Sequence, residues 1–142
     1  ENLIVEEEIK QLEEELEVPL FERIGRQVAL TDSGKEFISY ANENGKFICA
    51  ICAAPFILGK RGILSGKKAI CYPGFENQLD GATVMHDAGC VRDGNIITGK
   101  AMGGSLEFGK KIIAYIKAQF FSLYILYKKN IIFYIFNIFY NN

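Results

Sequence analysis

Apolar residues recur over the first 16 positions at helical spacing. Val5, Ile9, Leu12 and Leu16 are separated by 4, 3 and 4 residues, and glutamates fill the opposite face, which is the signature of one buried stripe at 3.6 residues per turn. Pro19 disfavours helix in the residue before it, so this helix is predicted to stop at or before Val18. Gly25 and the alternating Val28-Ala29-Leu30 then read as a short hairpin. Thr31 or Asp32 can cap a second helix, with Glu36 in its first turn and Phe37, Ile38 and Tyr40 as its apolar residues.

From Lys46 onward the pattern changes. Lys46-Phe47-Ile48-Cys49-Ala50-Ile51 is a short apolar run that suits a buried strand and breaks at Cys52. Residues 53–60 read as a small helix, with Pro55 tolerated in its first turn. Residues 68–72 form a second strand, closed by Pro73-Gly74. Residues 83–86 and 90–98 are predicted as two further strands, the later one interrupted by the turn-forming pair Asp93-Gly94. Gly103-Gly104-Ser105 opens a helix running through Leu106, Phe108, Ile112, Ile113 and Ile116. Strands alternating with helices imply a layered α/β sandwich.

The pattern changes again near Ala118. The remaining residues are mostly Phe, Tyr, Ile, Leu, Asn and Lys, with no Gly, Pro or acid, and form an irregular apolar tail. Its run from Phe120 to Tyr127 is cut by Lys128-Lys129-Asn130 and resumes over Ile131 to Phe136. Neither half reaches the roughly 20 residues of a bilayer span. A joint span would bury both lysines at a cost of about 2.5–3.5 kcal/mol each. No membrane partner is therefore expected. The tail reads more plainly as translated AT-rich, non-genic sequence after a frame break, and as a segment prone to aggregate.

Charge follows the same divisions. The formal net charge of −1 conceals −7 over residues 1–42, +4 over residues 43–117 and +2 over the tail, so the segments are of unlike origin or duty. A basic nucleic-acid surface over the whole chain is excluded. The 142 residues allow at most one modest globular domain. The chain begins at Glu1 with no leader pattern, which suggests a fragment or processed chain of cytoplasmic location. Cysteines 49, 52, 71 and 90 are read as thiols rather than a disulfide framework.

Cys52 carries the candidate chemistry. It sits where an apolar strand stops and a helix begins, and such an elbow exposes its side chain at the carboxyl edge of a sheet, where open α/β folds bind ligands. The helix start behind it favours the thiolate, and the free N–H groups of the turn can hold an oxyanion. The alternative is a small buried packing cysteine. Cys49 and Cys52 also make a C-x-x-C pair, but a strand position for Cys49 would point the two thiols apart. With no second such pair, zinc is not expected. Cys71 and Cys90 are read as packing residues. His86 is the only histidine; it could partner Cys52, although a solvent-facing strand histidine is the plainer account.

At these residues the chain resembles a known family. Residues 46–55, Lys67-Lys68-Ala69-Ile70-Cys71-Tyr72-Pro73-Gly74-Phe75-Glu76 and Asp93-Gly94-Asn95-Ile96-Ile97-Thr98 closely resemble the C-terminal half of the DJ/ThiJ/PfpI superfamily, and its ThiJ-like bacterial branch best. The resemblance implies a partial flavodoxin-like sandwich, homodimer formation, and Cys52 as the reactive group, with the Ala53 N–H as oxyanion donor. It implies type III glyoxalase or deglycase-like chemistry on a small reactive aldehyde such as methylglyoxal, or oxidation sensing, without metal or cofactor. The thiolate would form a hemithioacetal, a proton would move between carbons, and a 2-hydroxy acid would leave. The family's general acid/base is a glutamate at the end of its first strand, and a glycine-rich turn upstream of the cysteine helps hold the oxyanion. No residue of this chain matches that glutamate, so impaired catalysis is expected. Cys49 stands where a small residue is commoner, and Lys100-Ala101-Met102 replaces the more usual Arg-Gly-Pro.

Residues 9–41 resemble the latter part of a LysR-type winged helix-turn-helix, carried by Ile9-Lys10-Gln11-Leu12, Val18-Pro19-Leu20-Phe21-Glu22-Arg23, Gly25-Arg26 and Leu30-Thr31-Asp32-Ser33-Gly34. Recognition helices read bases with their N-terminal residues. Here those positions hold Glu6, Glu7 and Glu8, which would repel phosphate, so DNA is not an expected partner. Glu17 replaces the family's glycine at the helix end. The sequence thus predicts a helix–wing–helix remnant over 1–42, half of a ThiJ/PfpI-like domain over 43–117 and a non-native tail over 118–142. The alternatives are a DNA-binding regulator fragment and a fusion product without selected function.

Overall fold

The computed structural model describes residues 2–101, 103–123 and 133–135. By internal contacts the chain divides into two compact units, residues 1–40 and residues 41–142.

In the first unit, helix α1 (Asn2–Leu16) ends where Glu17 takes a left-handed φ of 58°. This is the helix-end conformation that glycine adopts most easily. Ile9 and Leu12 are half-buried, and Glu6, Glu7 and Glu8 are exposed. Strands β1 (Phe21–Ile24) and β2 (Gln27–Leu30) pair antiparallel around a turn at Gly25. Glu13 reaches past the end of its own helix, and its carboxylate accepts the N–H groups of Leu20 at 2.6 Å and Phe21 at 3.0 Å. Helix α2 (Asp32–Glu43) crosses from one unit into the other. Thr31 caps it, accepting the Gly34 N–H at 3.0 Å, while its hydroxyl donates to the Pro19 carbonyl at 2.6 Å.

The second unit is built on a four-stranded sheet. Strand β3 (Ile48–Ile51) lies between β7 (Ile96–Gly99) and β8 (Phe133–Ile135), parallel to both, and β6 (Cys90–Asp93) pairs antiparallel with the far edge of β7. Residues 90–98 are therefore not one interrupted strand. Asp93-Gly94 turns the chain back on itself, with Gly94 at a φ of 61°, and β6 and β7 form a hairpin. The tail is not wholly irregular either. Helix α4 (Ser105–Leu123) continues beyond Ala118 because nothing in that stretch breaks a helix, and Phe-Tyr-Ile, all strand formers, supply β8.

The sheet is buried on both faces: Ile48, Ala50 and Ile96, which alternate along their strands with the cluster that meets α4, are each 2% exposed or less. Phe47, Cys49, Cys90 and Ile97 pack with Phe108 and Ile112 of α4, and Phe47 stacks on Tyr115 at 3.7 Å between ring centroids. The guanidinium of Arg92 lies 4.8 Å above the same Tyr115 ring, an attractive cation–π geometry. The remaining elements are short: α3 (Pro55–Lys60), β4 (Lys68–Ala69) and β5 (Thr83–Val84), the last two paired in parallel. The strands predicted over 68–72 and 83–86 are thus two residues each, and Cys71 and His86 lie beyond their ends.

Candidate functional site

Strand β3 delivers Cys52 to the edge of the sheet. Its apolar run is buried from Phe47 to Ala50, so these residues pair as a strand, and Pro55 at the first turn of α3 then starts a helix four residues after Ile51. The turn between them forces Cys52 to a φ of 65°. A left-handed conformation is costly for a residue with a Cβ, about 1–2 kcal/mol, and persists only where the surroundings over-determine it. Two backbone hydrogen bonds do so. The Cys52 N–H donates to the Gly99 carbonyl at 2.9 Å, and its own carbonyl accepts the Tyr72 N–H at 2.7 Å. The side chain is left partly exposed.

The next peptide group differs. Ala54 donates to Ile51, and Phe56 donates to the Ala53 carbonyl, whereas among the described residues the N–H of Ala53 has no acceptor. The thiol of Cys52 is thus partly exposed, while the adjacent Ala53, whose N–H has no acceptor among the described residues, is only 2% exposed.

The other cysteines occupy different ground. Cys49 lies inside β3, in the core against α4, and burial, with a nearby Cys90, pushes its thiol up to about 12. Cys90 is pushed up to about 11, chiefly by burial. Cys71 is also pushed up to about 11, first by burial, then by the charges of Glu76 and Cys52. All four thiols are free. Among the described residues no group of three or more His, Cys, Asp or Glu could hold a metal ion, and no helix is long and apolar enough to cross a membrane.

Around this elbow the structure adds two residues, Thr98 and Glu76, that had no expected role from the sequence. Thr98 is buried at 1% exposure, and its hydroxyl oxygen accepts the Ile70 N–H at 2.9 Å. A buried threonine within an Ile-Ile-Thr-Gly strand was the available signal, since a buried hydroxyl needs a partner. The Glu76 carboxylate accepts the Gly74 N–H at 2.6 Å, and backbone hydrogen bonding holds it below the usual carboxylate range, with help from the charges of His86 and Lys100. His86 is exposed, and its carbonyl accepts the Lys100 ammonium at 3.2 Å. No hydrogen bond joins its ring to Cys52.

Residues 24–115 match the model of the DJ-1/PfpI family. The chain belongs to that family. The DJ-1/PfpI match begins before residue 43 and overlaps a second one, to the bacterial regulatory helix-turn-helix protein, lysR family, over residues 5–35. Protein dj-1beta of Drosophila melanogaster is 44% identical over 69 residues, covering 48% of this chain and 37% of its own length. The crystal structure of that dj-1beta superposes with a TM-score of 0.54 at 36% identity, covering 58% of this chain and 45% of the other. A deglycase of Pyrococcus abyssi is 28% identical over 96 residues, covering 67% of this chain and 58% of its own. An uncharacterized HTH-type transcriptional regulator of Bacillus subtilis is 54% identical over 39 residues, covering 28% of this chain and 13% of its own. The DJ-1/PfpI chain described here thus spans less than two thirds of each relative.

Proposed function

We propose that this DJ-1/PfpI chain captures 2-oxoaldehydes through Cys52. The observation that carries the reading is the elbow itself: a strained, partly exposed cysteine whose own N–H and C=O are both engaged, followed by an Ala53 N–H without an acceptor among the described residues. The Cys52 thiolate adds to the aldehyde carbon, the carbonyl π pair moves to oxygen, and the Ala53 N–H stabilises the alkoxide until it is protonated to a hemithioacetal. Completing a glyoxalase cycle requires a proton to pass from the hemithioacetal carbon to the neighbouring carbonyl carbon. Water must then cleave the resulting thioester to a 2-hydroxy acid. That proton transfer calls for a general acid/base within hydrogen-bond reach. The name of the Pyrococcus abyssi relative, a deglycase, is consistent with chemistry on sugar-derived carbonyl adducts at the same thiol.

The test is methylglyoxal consumption by the full chain beside a Cys52→Ala variant. Thiol-dependent loss of the aldehyde with mass addition at Cys52 is the expected result; equal background loss in both removes the reading. The match to a HTH-type regulator favours a second reading, DNA binding by the first unit. The exposed Glu6, Glu7 and Glu8 oppose it, because carboxylates repel the phosphate backbone that supplies most of the affinity. A gel shift with duplex DNA at low salt decides it: a salt-sensitive complex supports the regulator, and its absence removes it.

A further inference from the structure

A second thiol lies against the elbow. The N–H of Tyr72 bonds to the Cys52 carbonyl at 2.7 Å, so the peptide joining Cys71 to Tyr72 runs beside Cys52 at about the 4.7–4.9 Å spacing of hydrogen-bonded strands. A disulfide needs Cα atoms about 4.4–6.8 Å apart, and a direct backbone hydrogen bond between Cys52 and the residue after Cys71 is compatible with that separation. Cys49 is placed differently, three residues back in β3 with its side chain in the core against α4. Cys90 belongs to that same cluster. Solvent reaches the two members of the pair unequally: Cys52 is partly exposed and Cys71 is 2% exposed. A thiolate at Cys52 is also one of the charges that keep Cys71 protonated, after burial and Glu76, which is an electrostatic sign of the same proximity.

We propose that Cys52 and Cys71 form a two-cysteine, peroxide-reactive pair, in which Cys52 meets the oxidant and Cys71 closes an intramolecular disulfide. The proposal rests on the reading of Cys52 as the accessible nucleophile. The oxidant is a hydroperoxide. The Cys52 thiolate attacks its terminal oxygen, the O–O bond breaks, and the departing alkoxide or hydroxide takes a proton to leave as alcohol or water, with Cys52 now a sulfenic acid. The Cys71 thiolate then attacks that sulfur, hydroxide is displaced, and the proton lost from Cys71 converts it to water. One hydroperoxide is reduced by two electrons and two thiols are oxidised to one disulfide. A dithiol reductant reverses the state by exchange. Because Cys71 must lose its proton to attack, closure accelerates as pH rises from about 7 to about 9, the thiolate fraction growing about tenfold per unit below its pKa.

The experiment treats the full chain with one equivalent of hydrogen peroxide, blocks remaining thiols by alkylation, and maps tryptic peptides without reduction. Cleavage at Lys60, Arg61, Lys67 and Lys68 separates the two cysteines, and fragment spectra assign the bonded sulfurs. The expected result is a Cys52–Cys71 cross-link that forms faster at higher pH. In a Cys71→Ser variant the cross-link is absent: one equivalent leaves Cys52 as the sulfenic acid, and a second equivalent takes it to the sulfinic acid. Cys52 oxidised in the unsubstituted chain without a cross-link, a bond to Cys49 or Cys90 instead, or closure independent of pH would overturn the proposal. If the variant does not fold, the map of the unsubstituted chain decides alone. Alkylation of the untreated chain separates this proposal from the one it rests on. Cys52 that alkylates and consumes methylglyoxal but forms no cross-link removes only the pair, whereas Cys52 that does not alkylate removes both.

Discussion

The N–H of Cys52 donates to the carbonyl of Gly99 at 2.9 Å, extending the parallel pairing of β3 and β7 one residue past the end of β3. This single bond ties the elbow to the sheet. The position is also closed to a side chain: a Cβ at Gly99 would stand 2.8 Å from the Phe108 ring and 3.0 Å from the Ile51 side chain.

Gly99→Ala is therefore expected to destabilise the chain by about 1–3 kcal/mol, the usual range for overpacking a filled core. The end of β7 would shift with it, so Cys52 should also alkylate at a changed rate. Denaturant unfolding and timed iodoacetamide labelling measure the two effects. An unchanged midpoint would show that the Phe108 ring yields without cost.

Thr98→Val keeps the shape of the side chain and removes the acceptor of the Ile70 N–H, a group in a residue only 1% exposed. An unsatisfied buried donor costs about 1–3 kcal/mol, so a loss of that size is expected in the unfolding midpoint. The extended segment leading to Cys71 should loosen with it, which amide exchange at Ile70 would report.

Thiol ionisation predicts a labelling order. Cys71 and Cys90 are pushed up to about 11 and Cys49 to about 12, so at pH 8 roughly a thousandth or less of each is thiolate. Iodoacetamide at that pH should modify Cys52 alone. The same shifts fix the sign of the alkaline stability change. In the unfolded chain these thiols ionise near the ordinary thiol value of 9.0, while the folded chain retains their protons. Their contribution is therefore complete below pH 9 and is lost as pH rises through about 11 to 12. The denaturant midpoint should begin to fall above about pH 9, and a midpoint flat through pH 11 would contradict the burial of these groups.

Among the described residues, three with side chains occupy the left-handed region: Glu17, Cys52 and Ala101, with φ of 58°, 65° and 67°. Replacing Ala101 or Glu17 by glycine should stabilise the chain by about 1 kcal/mol, the relief of strain less the added freedom of the unfolded state. Cys52→Gly should do likewise while abolishing thiol chemistry, whereas Cys52→Ala keeps the strain. A higher melting temperature for Cys52→Gly than for Cys52→Ala is the expected outcome, and the reverse order would mean that the elbow is not strained.

Much of this molecule was legible from local pattern. The first helix, the hairpin at Gly25, the cap at Thr31, the apolar strand ending before Cys52 and the Pro55 helix start all depend on neighbours within a few residues. Periodicity and capping chemistry report such relations directly. Even the strain at Glu17 and Ala101 could be anticipated, because each stands where a resembled family carries glycine.

Other features depended on residues far apart in the chain. Whether Asp93-Gly94 interrupts one strand or joins two is decided by the register that pairs Cys90 with Gly99. The strand at 133–135 exists through its pairing with β3, and no local signal names that partner. The sequence alone determined that Cys52 lies between a buried strand and a helix start, since burial and proline act locally. Only the tertiary structure decided that its amide would be held by Gly99, its carbonyl by Tyr72 and its neighbourhood shared with Cys71, because hydrogen bonds across 47 and 20 residues arise from packing.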